Sequence, residues 1–231
     1  MSEQVDTRTI IAKANDSRLT KSPSIILDRI THHFGTRCVF RDVSSTIQSG
    51  ELLVVSGANG SGKSTLLRII AGLLTPTAGS VEISANGSVL QREESRRSIG
   101  YVAPDLVLYR ELTGAENLQF FAELHGVPLD RNSIVGLLTR VGLRGRGRDL
   151  VGAYSSGMRQ RLKYAFALLH DPPVLLLDEP SANLDVDGIA IVENVVEAQQ
   201  KRKGGGLTIV ATNEPRELAW SSNRIHLEAG A

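Results

Sequence analysis

Short apolar runs separated by polar turns recur along this chain and predict buried β-strands. The clearest is Val174–Asp178, which is nearly continuous in Val and Leu, as in a strand buried on both faces of a parallel sheet. Segments with helical spacing lie between the runs, and three glycines at 204–206 end the last of them. The remaining strands are predicted over 24–29, 43–48, 52–55, 80–83, 98–102, 207–212 and 224–227, and helices over 64–71, 114–125, 131–141, 156–170 and 187–203.

The alternation of strands and helices predicts an α/β fold in which helices cover a parallel sheet. Residues 105–155 interrupt the strand series with a mostly helical stretch, so we expect an inserted helical subdomain there. Residues 1–23 are polar and mixed in charge, which predicts a flexible tail before a domain over 24–231. No apolar run approaches the roughly 20 residues that span a bilayer, so direct membrane insertion is not expected.

Composition narrows the class of protein only slightly. The 231 residues are 41% hydrophobic, enough for one sizeable core. A formal net charge of +1 offers no bulk electrostatic case for binding nucleic acid. A single cysteine, Cys38, excludes an internal disulfide and suits a reducing compartment. The five histidines are scattered without metal-ligand spacing.

The strongest chemical signal is the segment GANGSGKST at 57–65, which matches the pattern G-x-x-x-x-G-K-[ST]. A predicted strand precedes it and a predicted helix follows, so backbone N–H groups and the helix N-terminus would surround an anion. Lys63 could then reach the β- and γ-phosphates, and the Ser64 hydroxyl could bind Mg²⁺. The predicted nucleotide-binding residues of this loop are Gly57, Asn59, Gly60, Ser61, Gly62, Lys63, Ser64 and Thr65.

An acidic pair ends the buried strand Val174–Asp178. Because the carboxyl end of a parallel strand lies at the same sheet edge as the phosphate loop, Asp178 is predicted to hold Mg²⁺, through water. Glu179 is predicted to orient or deprotonate the attacking water. The plain alternative is two surface acids that end a strand.

A second anion-binding terminus is predicted at the start of the helix that follows Tyr154. Ser155, Ser156 and Gly157 are small residues whose free N–H groups could bind a phosphate, although Ser155 or Ser156 could equally be a simple N-cap. One ATP cannot easily engage both this terminus and the phosphate loop within one small domain. Two chains that face each other could do so.

The order of the phosphate loop, YSSGM at 154–158, LLLDEP at 175–180 and SANLD at 181–185 resembles the ATP-binding subunit of ABC transporters. The resemblance covers nearly the whole chain from about Ser24, and Ser156 and Met158 depart from the family's usual LSGGQ. It implies a P-loop NTPase core with an antiparallel β edge and an inserted helical subdomain. It also implies a head-to-tail homodimer around two Mg²⁺-bound ATP molecules, in which Ser155 and Gly157 of one chain contact the ATP of the other.

The same resemblance assigns further residues and exposes two departures. Phe34 falls where family members stack an aromatic ring on adenine, although a lone Phe is more often core, and Asp185 falls in the loop that crosses the dimer interface. The family's glutamine after the strand at 98–102 is absent, and Asp105 is predicted as a shorter acidic substitute at the metal. The family's switch histidine is replaced by Asn213, which donates a hydrogen bond but adds no positive charge.

The resemblance also predicts the partner. A separate integral membrane subunit would couple ATP hydrolysis to transport, with this chain peripheral on the cytoplasmic face of the membrane. Its docking surface is predicted within 106–126, among Leu108, Tyr109, Leu112, Phe120 and Phe121. The stretch resembles exporter-type members, including the heme exporter of cytochrome c maturation. Two alternatives are a soluble ABC-type ATPase and a slowly hydrolysing nucleotide switch, both in assembly processes.

Overall fold

The computed structural model describes residues 22–85, 87–221 and 223–228 of the chain. The predicted tail over 1–23 therefore lies outside the described residues except for its last two positions. The strands are β1 (Ser24–Phe34), β2 (Arg37–Gln48), β3 (Leu52–Ser56), β4 (Ala78–Ala85), β5 (Ser88–Val89), β6 (Ile99–Val102), β7 (Val174–Asp178), β8 (Leu207–Ala211) and β9 (Arg224–His226). The helices are α1 (Lys63–Ile70), α2 (Arg92–Arg97), α3 (Gly114–Leu124), α4 (Arg131–Arg140), α5 (Ser156–Ala167), α6 (Val186–Gln200) and α7 (Pro215–Leu218), with a short 3₁₀ turn at Val151–Ala153.

The predicted parallel sheet is confirmed, with strand order β6-β7-β8-β3-β9 and parallel pairing throughout. Every residue of β7 is buried, as its apolar sequence predicts. Its side chains alternate between two cores: Leu175 and Leu177 pack with the helices α5 and α6, whereas Leu176 packs with α1 and the second sheet. Both faces of the sheet are therefore covered, and its carboxyl edge is left to form a site.

The predicted antiparallel edge is also confirmed, as a second sheet of order β2-β1-β4-β5. The strands β1 and β2 are longer than the predicted 24–29 and 43–48. Arg29 and Asp42 adopt positive φ angles of 46° and 53°, and the register shifts beside them. These irregularities interrupt the two-residue alternation from which strand length is predicted.

Residues 105–155 contain α3, α4 and the 3₁₀ turn, and in this fully described range no named strand occurs. Their buried side chains join the core on the α5 and α6 side of the parallel sheet. Separation as a subdomain stays a prediction. None of the helices in the described part of the chain combines the length and apolar character needed to cross a membrane.

Candidate functional site

The phosphate loop connects the end of β3 to the start of α1 and is shaped by glycines that no other residue could replace easily. Gly57, Gly60 and Gly62 have φ angles of 144°, 82° and 100°. A Cβ on Gly57 would lie 2.3 Å from the carbonyl oxygen of Leu227, so the loop passes directly against another backbone. The loop is therefore held tightly, and its backbone geometry follows from the glycine positions in the motif.

The Lys63 side chain crosses this loop. Its Nζ donates to the carbonyl oxygen of Gly57 at 2.8 Å and to that of Ala58 at 3.3 Å. Only 6% of the residue is exposed. The ammonium group is thus held over the loop, at the place where an anion bound by the loop would find a positive charge.

A cleft of about 290 Å³ opens beside the loop. Phe34 at the end of β1 forms one wall and is 54% exposed, with the His32 ring packed edge-on at 4.7 Å between centroids. Glu179 also lines the cleft. The lining residues are Phe34, Arg37, Val39, Asn59, Gly60, Gly62, Lys63, Ser64, Thr65 and Glu179.

Asp178 lies at the end of β7 and is only 1% exposed. Its Oδ2 accepts a hydrogen bond from the Tyr101 hydroxyl at 3.4 Å, whereas its Oδ1 is buried without a hydrogen-bond partner among the described residues. Burial raises the pKa of Asp178, and the neighbouring Ser64 hydroxyl acts in the opposite direction. A buried carboxylate oxygen without a partner, next to a hydroxyl, is a donor set that suits Mg²⁺.

Glu179 follows Asp178 directly but is exposed to solvent. Its φ angle of 50° is unusual for a residue with a side chain, and its N–H donates to the carbonyl oxygen of Ala211 at 2.9 Å. Such strained positions often carry function, because the surrounding structure must hold them in place. Here the strain turns the carboxylate away from the buried strand and into the cleft.

Asn213 lies against the phosphate loop from the segment after β8. The Gly57 N–H donates to its Oδ1 at 3.3 Å, and its Nδ2 donates to Asn59 Oδ1 at 3.1 Å. The side chain therefore bridges two positions of the loop. The sequence predicts Asn213 near the γ-phosphate but does not reveal this bridge.

Ser155 and Gly157 lie at the start of α5, outside the lining of their own chain's cleft. Ser155 is the N-cap of α5, and its Oγ accepts a hydrogen bond from the Met158 N–H at 3.1 Å. The residue is exposed. Capping one N–H group leaves the other first-turn groups of α5 available to a ligand from another molecule.

Asp105 is not brought to the cleft. Its Oδ2 accepts a hydrogen bond from Arg68 Nη2 at 3.0 Å, and both residues line a second cavity of about 490 Å³. This placement gives no support to its predicted role at the metal, because its carboxylate already pairs with a cation. Sequence reasoning did not identify Tyr101 or Arg37 as site residues. Tyr101 could have been noticed because a tyrosine in a mostly apolar strand needs a hydrogen-bond partner for its hydroxyl.

The motif pattern of the family described as ABC transporter matches residues 40–182. The chain is 34% identical over 203 residues to the uncharacterised ABC transporter ATP-binding protein YdbJ of Bacillus subtilis, covering 88% of this chain and 65% of that protein. It therefore spans just under two thirds of that relative's length. It is 39% identical over 175 residues to the cytochrome c biogenesis ATP-binding export protein CcmA of Xanthomonas oryzae, covering 76% and 79% of the two chains.

A solved structure has the same fold. It is a dimeric ATP-binding cassette in a post-hydrolysis state, bound to ADP and phosphate, with a TM-score of 0.75 and 25% sequence identity. The similarity covers 89% of this chain and 96% of that one.

Proposed function

Because this chain belongs to the ABC transporter family, we propose that it is the subunit that binds and hydrolyses ATP to drive an exporter. One observation carries the proposal. The phosphate loop with Lys63, the buried Asp178 and the exposed Glu179 meet at the carboxyl edge of one parallel sheet. This edge is where open α/β sheets bind their ligands.

Each group has a distinct role at this edge. The loop N–H groups and Lys63 bind the β- and γ-phosphates, and Phe34 supplies the exposed aromatic surface for adenine. Ser64 and Asp178 hold Mg²⁺, which when bound neutralises charge on the phosphates. Glu179 orients the attacking water and accepts its proton, because its carboxylate faces the cleft without being buried.

We propose that the working form is a head-to-tail homodimer around two ATP molecules. The exposed Ser155 and the partly buried Gly157, outside their own cleft, support this because they leave an anion-binding helix start at the surface. Asp185 N-caps α6 by accepting from the Gly188 N–H at 2.8 Å, so its loop is held rigidly where it would meet the partner. The dimeric form of the related cassette is consistent with this arrangement.

A separate membrane subunit, with this chain on the cytoplasmic face, would complete the transporter. The cavity of about 490 Å³, lined by residues of α1, α2, β6 and α5, supports a docking site there. Leu73 and Val107 are 62% and 77% exposed at this cavity, which is a large exposed apolar surface for a helix to cover. Of the predicted docking residues, Leu108 is buried in the core, whereas Tyr109 is 46% exposed and packs edge-on against Phe120.

The relatives' names favour export as the direction. One is named as a cytochrome c biogenesis export protein and another, from Bacillus licheniformis, as a bacitracin transport protein. We propose transport out of the cytoplasm, with the cargo chosen by the membrane subunit.

The direct test compares the wild type with Glu179→Gln. Purified wild type with Mg²⁺ and ATP should release phosphate. In the variant the rate of phosphate release should be at least a hundredfold lower, while ATP binding is retained. The variant should also run as a dimer with Mg²⁺ and ATP in light scattering, because the nucleotide is no longer consumed. Glu197→Gln, an exposed change on α6 that breaks only an ion pair with Lys201, is the matched control. Equal release by wild type and Glu179→Gln would remove Glu179 as the base.

A nucleotide switch is the second candidate, favoured by the neutral amide of Asn213 on the phosphate loop. A switch would dimerise with ATP yet release phosphate at a negligible rate in the wild type. Co-purification from a membrane extract separates the transporter subunit from the third candidate, a soluble assembly ATPase, which would remain in the soluble fraction.

A further inference from the structure

Tyr101 lies between the docking cavity and the acidic end of β7. It lies on β6, and its ring lines the cavity of about 490 Å³ that we assign to docking. Its hydroxyl donates to Asp178 Oδ2 at 3.4 Å. The Ser64 hydroxyl is the other hydrogen-bonding neighbour of this carboxylate among the described residues.

Packing alone does not explain why residue 101 carries a hydroxyl group. Tyr101 is partly buried against the core that contains Leu176, where phenylalanine would fill the same space. Removing a hydroxyl from water costs free energy unless a hydrogen bond within the protein compensates for it.

The hydrogen bond from Tyr101 makes the two carboxylate oxygens of Asp178 different. Oδ2 accepts the hydrogen bond from Tyr101, whereas Oδ1 is buried without a hydrogen-bond partner among the described residues. Without the tyrosine hydroxyl, Oδ2 would lose this hydrogen bond and the carboxylate would be freer to rotate. Metal ligands generally depend on such outer partners for their orientation.

We propose that Tyr101 is a positioning residue for the divalent cation of the ATP site, and that it holds Asp178 so that Oδ1 faces the metal. The inference rests on the proposed function, since it assumes that Ser64 and Asp178 hold Mg²⁺. It also makes one wall of the docking cavity part of the metal site. Arg68 lines the same cavity and lies one helical turn after Ser64 on α1. Tyr101 and Arg68 therefore both link this wall of the cavity to the residues proposed to bind the metal.

The experiment measures nucleotide affinity rather than activity. A fluorescent, non-hydrolysable ATP analogue is titrated into wild type, Tyr101→Phe and Tyr109→Phe, once with excess EDTA and once with Mg²⁺. Tyr109 is a matched control, because it does not line the nucleotide cleft, is half-exposed, and its side chain makes no hydrogen bond within the described part of the chain. The measured quantity is the ratio of the two affinities, which is the enhancement by Mg²⁺.

Tyr101→Phe should reduce the Mg²⁺ enhancement by about three- to tenfold, the net effect of one ordinary hydrogen bond, and leave the affinity in EDTA unchanged. Tyr109→Phe should match the wild type in both conditions. An unchanged enhancement in Tyr101→Phe would overturn the inference, and so would an equal loss in EDTA and in Mg²⁺, which would indicate a structural role. If the wild type shows no enhancement by Mg²⁺, the proposed function fails first, so the two failures are distinguishable.

Discussion

Replacing Gly62 with alanine should destabilise the protein through a steric clash between the phosphate loop and the antiparallel sheet. Gly62 is the N-cap of α1 and has φ 100° and ψ 11°. An added Cβ would lie 2.5 Å from Val39 Cγ1 and 2.8 Å from Phe40 Cδ1. Both neighbours are buried on β2, and the β-branched Val39 has little rotamer freedom with which to yield.

Gly60→Ala is the matched control for the magnitude. Gly60 has a similar φ of 82° but would place no heavy atom within 4 Å of the new Cβ. Both variants therefore include the left-handed backbone strain of about 1–2 kcal/mol. Only Gly62→Ala adds overpacking, which costs about 1–3 kcal/mol. The difference corresponds to a melting temperature about 2–12 °C lower for Gly62→Ala than for Gly60→Ala in a chain of this size.

The assay is thermal unfolding of nucleotide-free protein, followed by circular dichroism at one protein concentration and pH. Nucleotide is left out because a ligand adds its own binding free energy to the stability of the folded state. Equal melting temperatures for the two variants would refute the steric argument, since only backbone strain would then remain. A lower melting temperature for Gly60→Ala would refute it more strongly.

Three further changes give measurable outcomes. Asp178→Asn should abolish phosphate release yet raise the melting temperature at about pH 7. Burial raises the pKa of Asp178, so the wild-type protein loses stability as the pH rises through that pKa. The gain in melting temperature should vanish at about pH 4, below which the aspartate is protonated in both the folded and the unfolded state. Phosphate release should fall in Asn213→Ala by about ten- to a thousandfold and rise in Asn213→His, which adds charge at the same place; the reverse order would contradict this role. Burial and the charge of His125 lower the pKa of His170, so the wild-type protein should lose stability as the pH falls below about 6.5. His170→Gln should reduce this loss, and parallel stability profiles of the variant and the wild type against pH would count against it.

Much of the architecture was predictable because its signals are local. The apolar run of β7 and the glycine pattern of the phosphate loop each depend on residues a few positions apart, and the predicted strands and α/β sheet are confirmed there. Prediction was weakest where the pattern is short or interrupted. The six-residue helix α2 is polar and buries no residue, so it has no apolar periodicity to detect. The strand β1 was predicted too short because Arg29 breaks its alternation.

The sequence by itself determined the chemistry of this protein: a phosphate loop, an acidic pair and a second anion-binding helix start, in an order that resembles the ABC transporter family. Only the tertiary structure decided the partners of their side chains. Asp105 pairs with a residue 37 positions away, Tyr101 with one 77 away and Asn213 with one 156 away. Backbone geometry at a motif depends on neighbouring residues, whereas such distant contacts depend on the order in which strands join the sheet and on how the helices pack over it.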